Sequence, residues 1–329
     1  MPLSEGGGGG VGMDHLIEVQ NLKKYFKTGR GTLHAVDDVS FTIPKGTTLG
    51  VVGESGCGKS TLGRMLVHLL ESTDGRILFE GEDVTTLGKR DMKDYHEHAQ
   101  MIFQDPYSSL NPRYTVEESI REFLVVSGKF NKSEIQRKTT DLMDLVGIAP
   151  RLRMSYPHEL DGGRRQRVGI ARALALNPEF IVCDEPVSAL DVSIQAQILN
   201  LLKFLQQEKN LTYMFITHDL SVVKHISDNI CVMYLGQLVE TCPSKELFKK
   251  QYHPYTKALL SAIPSINIDK KMERIVLKGE ITSPIDPKPG CRFAARCVHV
   301  CERCHEPQRL EEISPGHFVS CCRAREINP

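Results

Sequence analysis

The sequence predicts an α/β fold in which strands alternate with helices and a parallel sheet is covered by helices on both faces. Short apolar, β-branched runs alternate with segments of helical periodicity over most of the chain. A glycine-rich turn, GESGCGKST, lies between the apolar run LGVVG and the helical pattern LGRMLVHLL. The run FIVCDEP is wholly apolar until it ends in two acids, as is typical of a parallel strand buried on both faces.

The individual elements follow from periodicity, taken in chain order. LIEVQNLKKYF and TLHAVDDVSFTI predict strands by their alternation, and KGTTLGVVG predicts a buried strand. The region from Ser108 to Leu176 is polar and helix-rich. SIQAQILNLLKFLQQEK predicts a helix with one apolar stripe, LTYMFITHD and NICVMYLGQLVE predict further strands, and HPYTKALLSAI predicts a closing helix. No internal repeat is visible, so we expect one such unit.

Composition limits the classes of function. The 41 basic and 41 acidic residues cancel, so bulk binding of nucleic acid is not expected. No stretch reaches the roughly 18 consecutive apolar residues that a membrane span needs, and no basic stretch with an apolar core starts the sequence. We therefore expect a cytoplasmic chain. Residues 1–12 are expected to be a flexible glycine-rich lead, with Met13 as a candidate true start.

The composition changes after Ile263. Prolines, arginines and six of the ten cysteines crowd the last part of the chain, which predicts a small separate module. In a reducing compartment such crowding favours metal binding over disulfides.

The segment from Gly53 to Thr61 has the P-loop pattern in its confirming context, between a strand and a helix. Its glycines let backbone N–H groups surround phosphates, Lys59 reaches the terminal phosphates, and Ser60 offers a hydroxyl to Mg²⁺. A chance loop is the alternative. The residues predicted to contact nucleotide are Gly53, Glu54, Ser55, Gly56, Cys57, Gly58, Lys59, Ser60 and Thr61.

The two acids of FIVCDEP fit the second half of such a site. Asp184 is predicted to hold Mg²⁺, and Glu185 is predicted to orient or deprotonate the attacking water. The alternative for Glu185 is an ordinary surface acid. His218 could hydrogen-bond the γ-phosphate, although a His at this position alone is more often an ordinary loop residue. Gln104 in MIFQDP is by itself only weak evidence for a site, since a lone Gln usually satisfies backbone groups.

A second glycine pair lies in HELDGGRRQRVGIARAL. Gly162 and Gly163 open a helical pattern whose N-terminus is suited to an anion, yet Asp161 stands directly before them. Asp is also a good N-cap, so the structural alternative is that Asp161 only caps its own helix.

Together, and in this order, these motifs resemble those of the ATP-binding subunit of an ABC transporter. Walker A (GESGCGKST), the Q-loop (FQDP), the signature segment, Walker B (FIVCDEP), the D-loop (SALD) and the switch histidine (ITHD) are all represented. The resemblance implies a RecA-like P-loop NTPase with a mixed sheet, an antiparallel β subdomain and a helical signature subdomain. The implied divisions are a lead at 1–12, an ATPase domain at 13–263 with its helical subdomain at about 105–178, and a Cys-rich module at 264–329.

The resemblance also assigns roles. Tyr25 would stack on adenine, with Phe26 next to it, and Gln104 would join Ser60 and Asp184 at Mg²⁺. Lys59, Gln104, Glu185 and His218 would carry catalysis. The residues that would face a partner subunit's ATP are Asp161, Gly162, Gly163, Arg164 and Asp191.

PVSALDVSIQAQ, YLGQLVE and HPYTKALLSAIP are similar, more narrowly, to the oligopeptide/dipeptide branch of importers. That branch implies an ATPase at the cytoplasmic face of the membrane, with a second, different ATPase subunit, two membrane-spanning permease subunits and an extracytoplasmic binding protein. The permeases would dock near Gln104 to Tyr114. Relatives that import oligosaccharides or nickel share these features, so the cargo stays open.

The signature departs from the usual Leu-Ser-Gly-Gly-Gln at two positions, Asp161 and Arg164. An ionised Asp161 about 4 Å from a phosphate would cost roughly 4 kcal/mol at an effective dielectric constant of 20. We therefore expect asymmetric ATP sites in a heterodimer, the one completed by this signature being slow.

For the tail, the resemblance assigns Cys291, Cys297, Cys304 and Cys321 as ligands of a [4Fe-4S] cluster. Chemistry alone leaves Zn²⁺ open, since four thiolates suit either group. Cys301 and Cys322 remain as extra thiols, able to substitute as ligands or to do nothing.

Two other classes of ABC-type protein predict different sequence features. An ABC-type ATPase acting on DNA or ribosomes predicts a long coiled-coil insertion or two ATPase units, and the sequence shows neither. A regulatory subunit that binds ATP without hydrolysis is disfavoured by the presence of Glu185 and His218.

Overall fold

The computed structural model of the chain describes residues 15–262, 275–277, 279 and 283–328. The predicted lead at 1–12 and the predicted boundary at 263/264 lie outside these ranges. None of the helices within them has the length and the apolar character needed to cross a membrane.

The described residues form two sheets and the helices that cover them. The strands are β1 (His15–Thr28), β2 (Gly31–Pro44), β3 (Thr48–Val52), β4 (Asp74–Phe79), β5 (Glu82–Asp83), β6 (Ala99–Ile102), β7 (Phe180–Asp184), β8 (Thr212–Thr217), β9 (Asn229–Tyr234), β10 (Gln237–Pro243), β11 (Glu311–Ser314) and β12 (His317–Val319). The α-helices are α1 (Lys59–Leu66), α2 (Lys89–His98), α3 (Pro106–Ser109), α4 (Val116–Ser127), α5 (Lys132–Leu145), α6 (Gly162–Leu174), α7 (Val192–Lys209), α8 (Leu220–Ile226), α9 (Ser244–Leu247) and α10 (Pro254–Ser261).

The larger sheet is mixed, with strand order β11-β12-β10-β9-β3-β8-β7-β6. Strands β9, β3, β8, β7 and β6 run parallel, and each of β3, β7 and β8 is buried along its whole length. Parallel strands need covering on both faces, which explains their continuous apolar sequences. The predicted α/β fold class is confirmed, and the carboxyl ends of β3, β8, β7 and β6 lie side by side.

The smaller sheet is antiparallel, with order β2-β1-β4-β5. Its long strands β1 and β2 pair over most of their length, with several register shifts along β1, one of them between Lys24 and Tyr25. The alternation of LIEVQNLKKYF and TLHAVDDVSFTI buries one face of this sheet against a core shared with α1 and the larger sheet.

The region predicted to be helix-rich contains α3 to α6. Thr115 and Asn131 begin α4 and α5 with capping boxes, in which each side chain accepts from the N3 backbone and a glutamate reaches back. Apolar residues of α4, α5 and α6 form a second core that continues onto β7 and α7. This helical layer stands beside the end of β6, where the Q-loop begins.

The cysteine module continues the larger sheet. Strand β12 pairs antiparallel with β10 through Glu240 opposite Val319, and β11 pairs with β12. The buried His317 ring contacts the buried Glu240 carboxylate at 2.7 Å, and this carboxylate also accepts the backbone N–H groups of Tyr252 and His253. These contacts of one buried carboxyl group connect β12 to β10 and to the segment before α10.

Candidate ATP site

The P-loop connects the end of β3 at Val52 to the start of α1 at Lys59. Gly56 has a φ of 77° and Gly58 a φ of 105°, conformations that residues with a Cβ rarely adopt. Gly56 and Gly58 both line the cavity that adjoins this loop. The loop therefore presents peptide groups at the N-terminus of a helix, an arrangement suited to phosphate.

Lys59 and Ser60 project from the first turn of α1. The Lys59 ammonium is buried and donates to the carbonyl oxygens of Gly53 at 2.8 Å and Glu54 at 2.9 Å. The Ser60 hydroxyl donates to Asp184 Oδ1 at 2.7 Å, which joins α1 to the end of β7. Burial raises the pKa of Asp184, and a nearby cation would favour its charged form. Hydroxyl and carboxylate oxygens are hard ligands that fit Mg²⁺, whose chemistry is to neutralise phosphate charge.

Three polar side chains meet at the ends of adjacent strands. Gln104 follows β6, Glu185 follows β7 and His218 follows β8. The Glu185 carboxylate accepts from Gln104 Nε2 at 2.9 Å and lies 3.2 Å from His218 Nδ1. Glu185 has a positive φ of 45°, and its backbone N–H donates to the carbonyl of Ile216 at 2.9 Å. Both neighbours thus hold the carboxylate, and a carboxylate oriented in this way has the chemistry of a general base.

A cavity of about 510 Å³ opens over these groups. The predicted residues Ser55, Gly56, Gly58, Lys59, Ser60, Thr61, Gln104, Glu185 and His218 line it, together with Phe26, Leu33, His34, Ala35, Leu235, Gly236 and Pro284. Gly53, Glu54, Cys57 and Asp184 do not reach its surface: Cys57 is buried below the loop, and Asp184 is 2% exposed behind Ser60. The predicted phosphate and catalytic residues thus share one site.

The structure places the two aromatic residues considered for adenine stacking, Tyr25 and Phe26, in different surroundings. Phe26 lines the cavity, whereas the Tyr25 ring stacks on His34 at 4.0 Å and its hydroxyl donates to Asp37. Between Val19 and Leu22, β1 has one more residue than the paired segment of β2, and such a bulge exchanges the faces to which the following side chains of β1 point. Burial, with the Asp37 contact, raises the pKa of Tyr25 and keeps its proton in place.

The signature segment forms the start of α6. Asp161 is the N-cap, and its carboxylate accepts the backbone N–H of Arg164 at 2.8 Å and lies 3.3 Å from the Arg164 Nε. Gly162 and Gly163 pack close to Leu190 and Ile194, beside Asp191 at the N-cap of α7. No signature residue lines the described 510 Å³ cavity, so within the described chain the signature and the P-loop face different surroundings.

The cysteine module brings thiols together in a pattern that differs from the predicted one. Cys301, Cys304 and Cys322 have sulfur atoms within 4.8 Å of one another, and of these only Cys304 belongs to the predicted set. Burial raises the pKa of Cys291 to about 12, and the nearby thiols of Cys304, Cys321 and Cys297 add to this shift. All-sulfur ligands fit a thiolate-bound metal such as zinc or an iron–sulfur cluster.

Sequence reasoning missed the contacts that the cysteine module makes with this site. Pro284 lines the cavity and accepts the backbone N–H of His34 at 3.0 Å, while Arg296 contacts Glu54 at 2.9 Å. These pairs are about 240 residues or more apart in the chain, so no local pattern could reveal them.

A P-loop, a Ser60–Asp184 contact, a held glutamate and a separate glycine-led signature helix define an ABC-type ATPase. The ABC transporter family profile matches residues 36–188, and the profile of the C-terminal region of oligopeptide/dipeptide transporters matches residues 239–304. The putative oligopeptide transport ATP-binding protein YkfD of Bacillus subtilis is 52% identical over 93% of this chain and 94% of its own length. The oligopeptide transport ATP-binding protein AppF of the same species is 50% identical over 93% and 96%.

Among solved structures, the dimeric ATP-binding cassette MJ0796 bound to ADP and phosphate is similar, with a TM-score of 0.64 and 27% identity. The similarity covers 69% of this chain and 98% of that one. The chain belongs to the ABC transporter ATP-binding subunits, in the oligopeptide/dipeptide branch, and is an ATPase.

Phe26→Ala is expected to raise the Kd for MgATP about fivefold to tenfold, because a nucleobase loses its stacking surface. Tyr25→Phe, which keeps a ring in place, serves as the comparison and is expected to bind within about twofold of the unchanged chain. Isothermal titration measures both. A normal Kd for Phe26→Ala, together with weakened binding by Tyr25→Ala, would return the stacking role to Tyr25.

Glu185→Gln is expected to lower kcat for ATP hydrolysis by at least about 100-fold while MgATP still binds, because only the proton acceptor is lost. Glu208→Gln, on the exposed side of α7, is the matched control and should leave turnover unchanged. Phosphate release measures the rate. Unchanged turnover in Glu185→Gln would revive the regulatory, non-hydrolysing alternative.

Proposed function

We propose that this chain powers the import of dipeptides or oligopeptides from the cytoplasmic face of the membrane. Its partners would be a second ATPase subunit, two permease subunits and an extracytoplasmic binding protein. The observation that carries the ATPase part is the Glu185 carboxylate, held by Gln104 and His218 beside the Ser60–Asp184 contact. The names of the relatives and the C-terminal profile support peptides as cargo.

The residues divide the chemistry among them. The P-loop amides and the Lys59 ammonium would bind the phosphates, and Ser60, Asp184 and Gln104 would surround Mg²⁺. Glu185 would accept a proton from the attacking water at a carboxylate oxygen, while His218 and Gln104 keep that carboxylate oriented. Asp184 is engaged by Ser60 and is not available for this proton.

Coupling to transport is proposed to pass through the Q-loop. Phe103 and Tyr107 are exposed on either side of Gln104, at 39% and 49%. Phe103 also lines an apolar groove between β6 and α6, together with Phe123 and Ala173. Because Gln104 contacts Glu185 directly, a helix of a permease seated in this groove would be linked to the catalytic carboxylate by one short loop.

Transport by the reconstituted complex tests the cargo. The complex is reconstituted in proteoliposomes with its ATPase subunits and ATP in the lumen. A labelled oligopeptide added outside is expected to accumulate in the lumen, and Glu185→Gln in this chain should abolish this accumulation. Uptake of an oligosaccharide or Ni²⁺ without peptide uptake would show that the cargo is that compound and not a peptide. ATP hydrolysis stimulated by DNA or ribosomes, without any uptake, would contradict the transporter function.

We also propose that the two composite ATP sites of the complex are unequal. Asp161 already accepts the Arg164 N–H at the start of α6, so its carboxylate fills the position at which a γ-phosphate would be bound. The Arg164 guanidinium offsets part of the charge at 3.3 Å, but it does not restore a hydroxyl donor. The site built on this chain's P-loop and a partner's signature would then hydrolyse ATP, and the other site would be slow.

Asp161→Ser in the assembled complex is expected to raise ATP turnover by up to about twofold, since it restores the donor and activates a second site. Asp141→Ser, an exposed acid on α5, is the matched control and should have no effect. Steady-state phosphate release measures both. Unchanged turnover and transport, with normal γ-phosphate binding at the signature side, would contradict unequal sites.

The cysteine module is proposed to hold a [4Fe-4S] cluster through Cys291, Cys297, Cys304 and Cys321, with Zn²⁺ as the alternative. Its role would be structural, because a small module rich in turns has little apolar core of its own. The close triad of Cys301, Cys304 and Cys322 offers a second arrangement of ligands that shares Cys304.

Anaerobic purification is expected to yield about four irons per chain and an absorbance shoulder at about 400 nm. Cys297→Ser should lose both signals, Cys322→Ser should keep them, and the buried Cys242→Ser is the control outside the module. Stoichiometric zinc without iron, or a chain free of metal, would reject the cluster. If Cys322→Ser lost the iron and the absorbance shoulder while Cys297→Ser kept both, the ligands would be the triad of Cys301, Cys304 and Cys322.

A further inference from the structure

Glu54, the second residue of the P-loop, is held from outside the loop at two points. Its carboxylate accepts from the Arg296 guanidinium, Nη1 to Oε2, at 2.9 Å. Its backbone N–H donates to the hydroxyl of Tyr255 at 2.9 Å. The side chains of Arg296 and Glu54 are 9% and 25% exposed, so this ion pair is largely withdrawn from solvent.

The same residue connects inward to the phosphate-binding lysine. The Glu54 carbonyl accepts from the Lys59 ammonium at 2.9 Å. Side chain, N–H and carbonyl of Glu54 are therefore all fixed, and the orientation of its peptide groups depends on Arg296 and Tyr255. Two contacts, Arg296 to Glu54 and Glu54 to Lys59, therefore connect the cysteine module to the lysine.

Arg296 is itself rigidly placed. It ends a short turn, Ala294–Arg296, that lies between Cys291 and Cys297. In the same segment, Arg292 is 5% exposed and donates to Asp37 and to the carbonyl of Leu235. The Phe293 ring packs against the rings of Tyr234 and Tyr255 at 5.3 and 5.5 Å. The segment from Cys291 to Cys297 thus packs against residues at the edge of the ATP site.

We propose that Arg296 is a positioning residue of the ATP site: its ion pair with Glu54 holds the P-loop backbone in the conformation that receives phosphate. Arg296 acts through Glu54 and does not touch the nucleotide. The inference rests on the proposed role of the P-loop and Lys59 in binding nucleotide. It extends the ATP site into the cysteine module, so that the module has a task in the ATPase as well as in the fold.

Removing the guanidinium leaves a half-buried carboxylate without its partner, and the loop would turn to expose it to water. For Arg296→Gln we expect a Kd for MgADP that is about fivefold to tenfold higher, measured by isothermal titration on the full chain. Glu54→Gln should weaken binding to a similar degree. Arg296→Lys keeps the charge and should recover part of the affinity. Arg303→Gln removes the partner of an exposed ion pair with Glu326 in the same module and should bind normally.

The double variant Glu54→Gln/Arg296→Gln separates positioning from general stability. If the two residues act as one pair, the double variant binds MgADP within about twofold of either single variant. The proposal would be overturned if the fold-change in Kd of the double variant equalled the product of the fold-changes of the two single variants. A normal Kd for Arg296→Gln, accompanied only by a lower unfolding temperature, would also overturn it. Failure of the unchanged chain to bind MgADP would contradict the proposed role of the P-loop in nucleotide binding. A normal Kd for Arg296→Gln would contradict only the positioning role of Arg296.

Discussion

The hydrogen bond from the Ser60 hydroxyl to the Asp184 carboxylate is the contact on which the site depends. It joins the first turn of α1, which follows β3, to the end of β7, which lies two strands away across β8. Both residues are in place because buried parallel strands end at the same edge of the sheet. An interaction between residues 124 positions apart is thereby set by sheet topology, and it creates an oxygen-lined position beside the phosphate-binding loop.

The position of the Glu185 carboxylate follows from the same topology. Gln104, Glu185 and His218 lie one or two residues beyond the ends of three adjacent strands, so the three side chains converge without a long loop. Asp184 and Glu185 are neighbours in sequence but have different environments. Asp184 is buried behind Ser60, while Glu185 faces the cavity between an amide and an imidazole. This difference supports the proposed division of roles, in which Asp184 would face a metal and Glu185 would accept a proton.

Local patterns predicted the parts of the site that lie within one motif. The P-loop, the two acids after the apolar strand and the Asp161 cap depend on residues close in the chain, and the structure places them together as expected. The choice between Tyr25 and Phe26 could not be made, because a register shift in a long strand reverses the facing of its side chains and leaves little trace in the sequence. Strands β4, β5, β6, β11 and β12 were also missed, since they are short or lie in polar sequence. The contact between Arg296 and Glu54 depends on a chain separation of 242 residues, which only the folded structure reveals.

The most direct measurement of the central claim is a crystal structure of the full chain with Mg²⁺ and an ATP analogue that cannot be hydrolysed. We expect the metal at about 2.1 Å from the Ser60 hydroxyl, beside Asp184, with the Lys59 ammonium on the terminal phosphates. A triphosphate bound elsewhere, or a metal remote from both Ser60 and Asp184, would contradict the account.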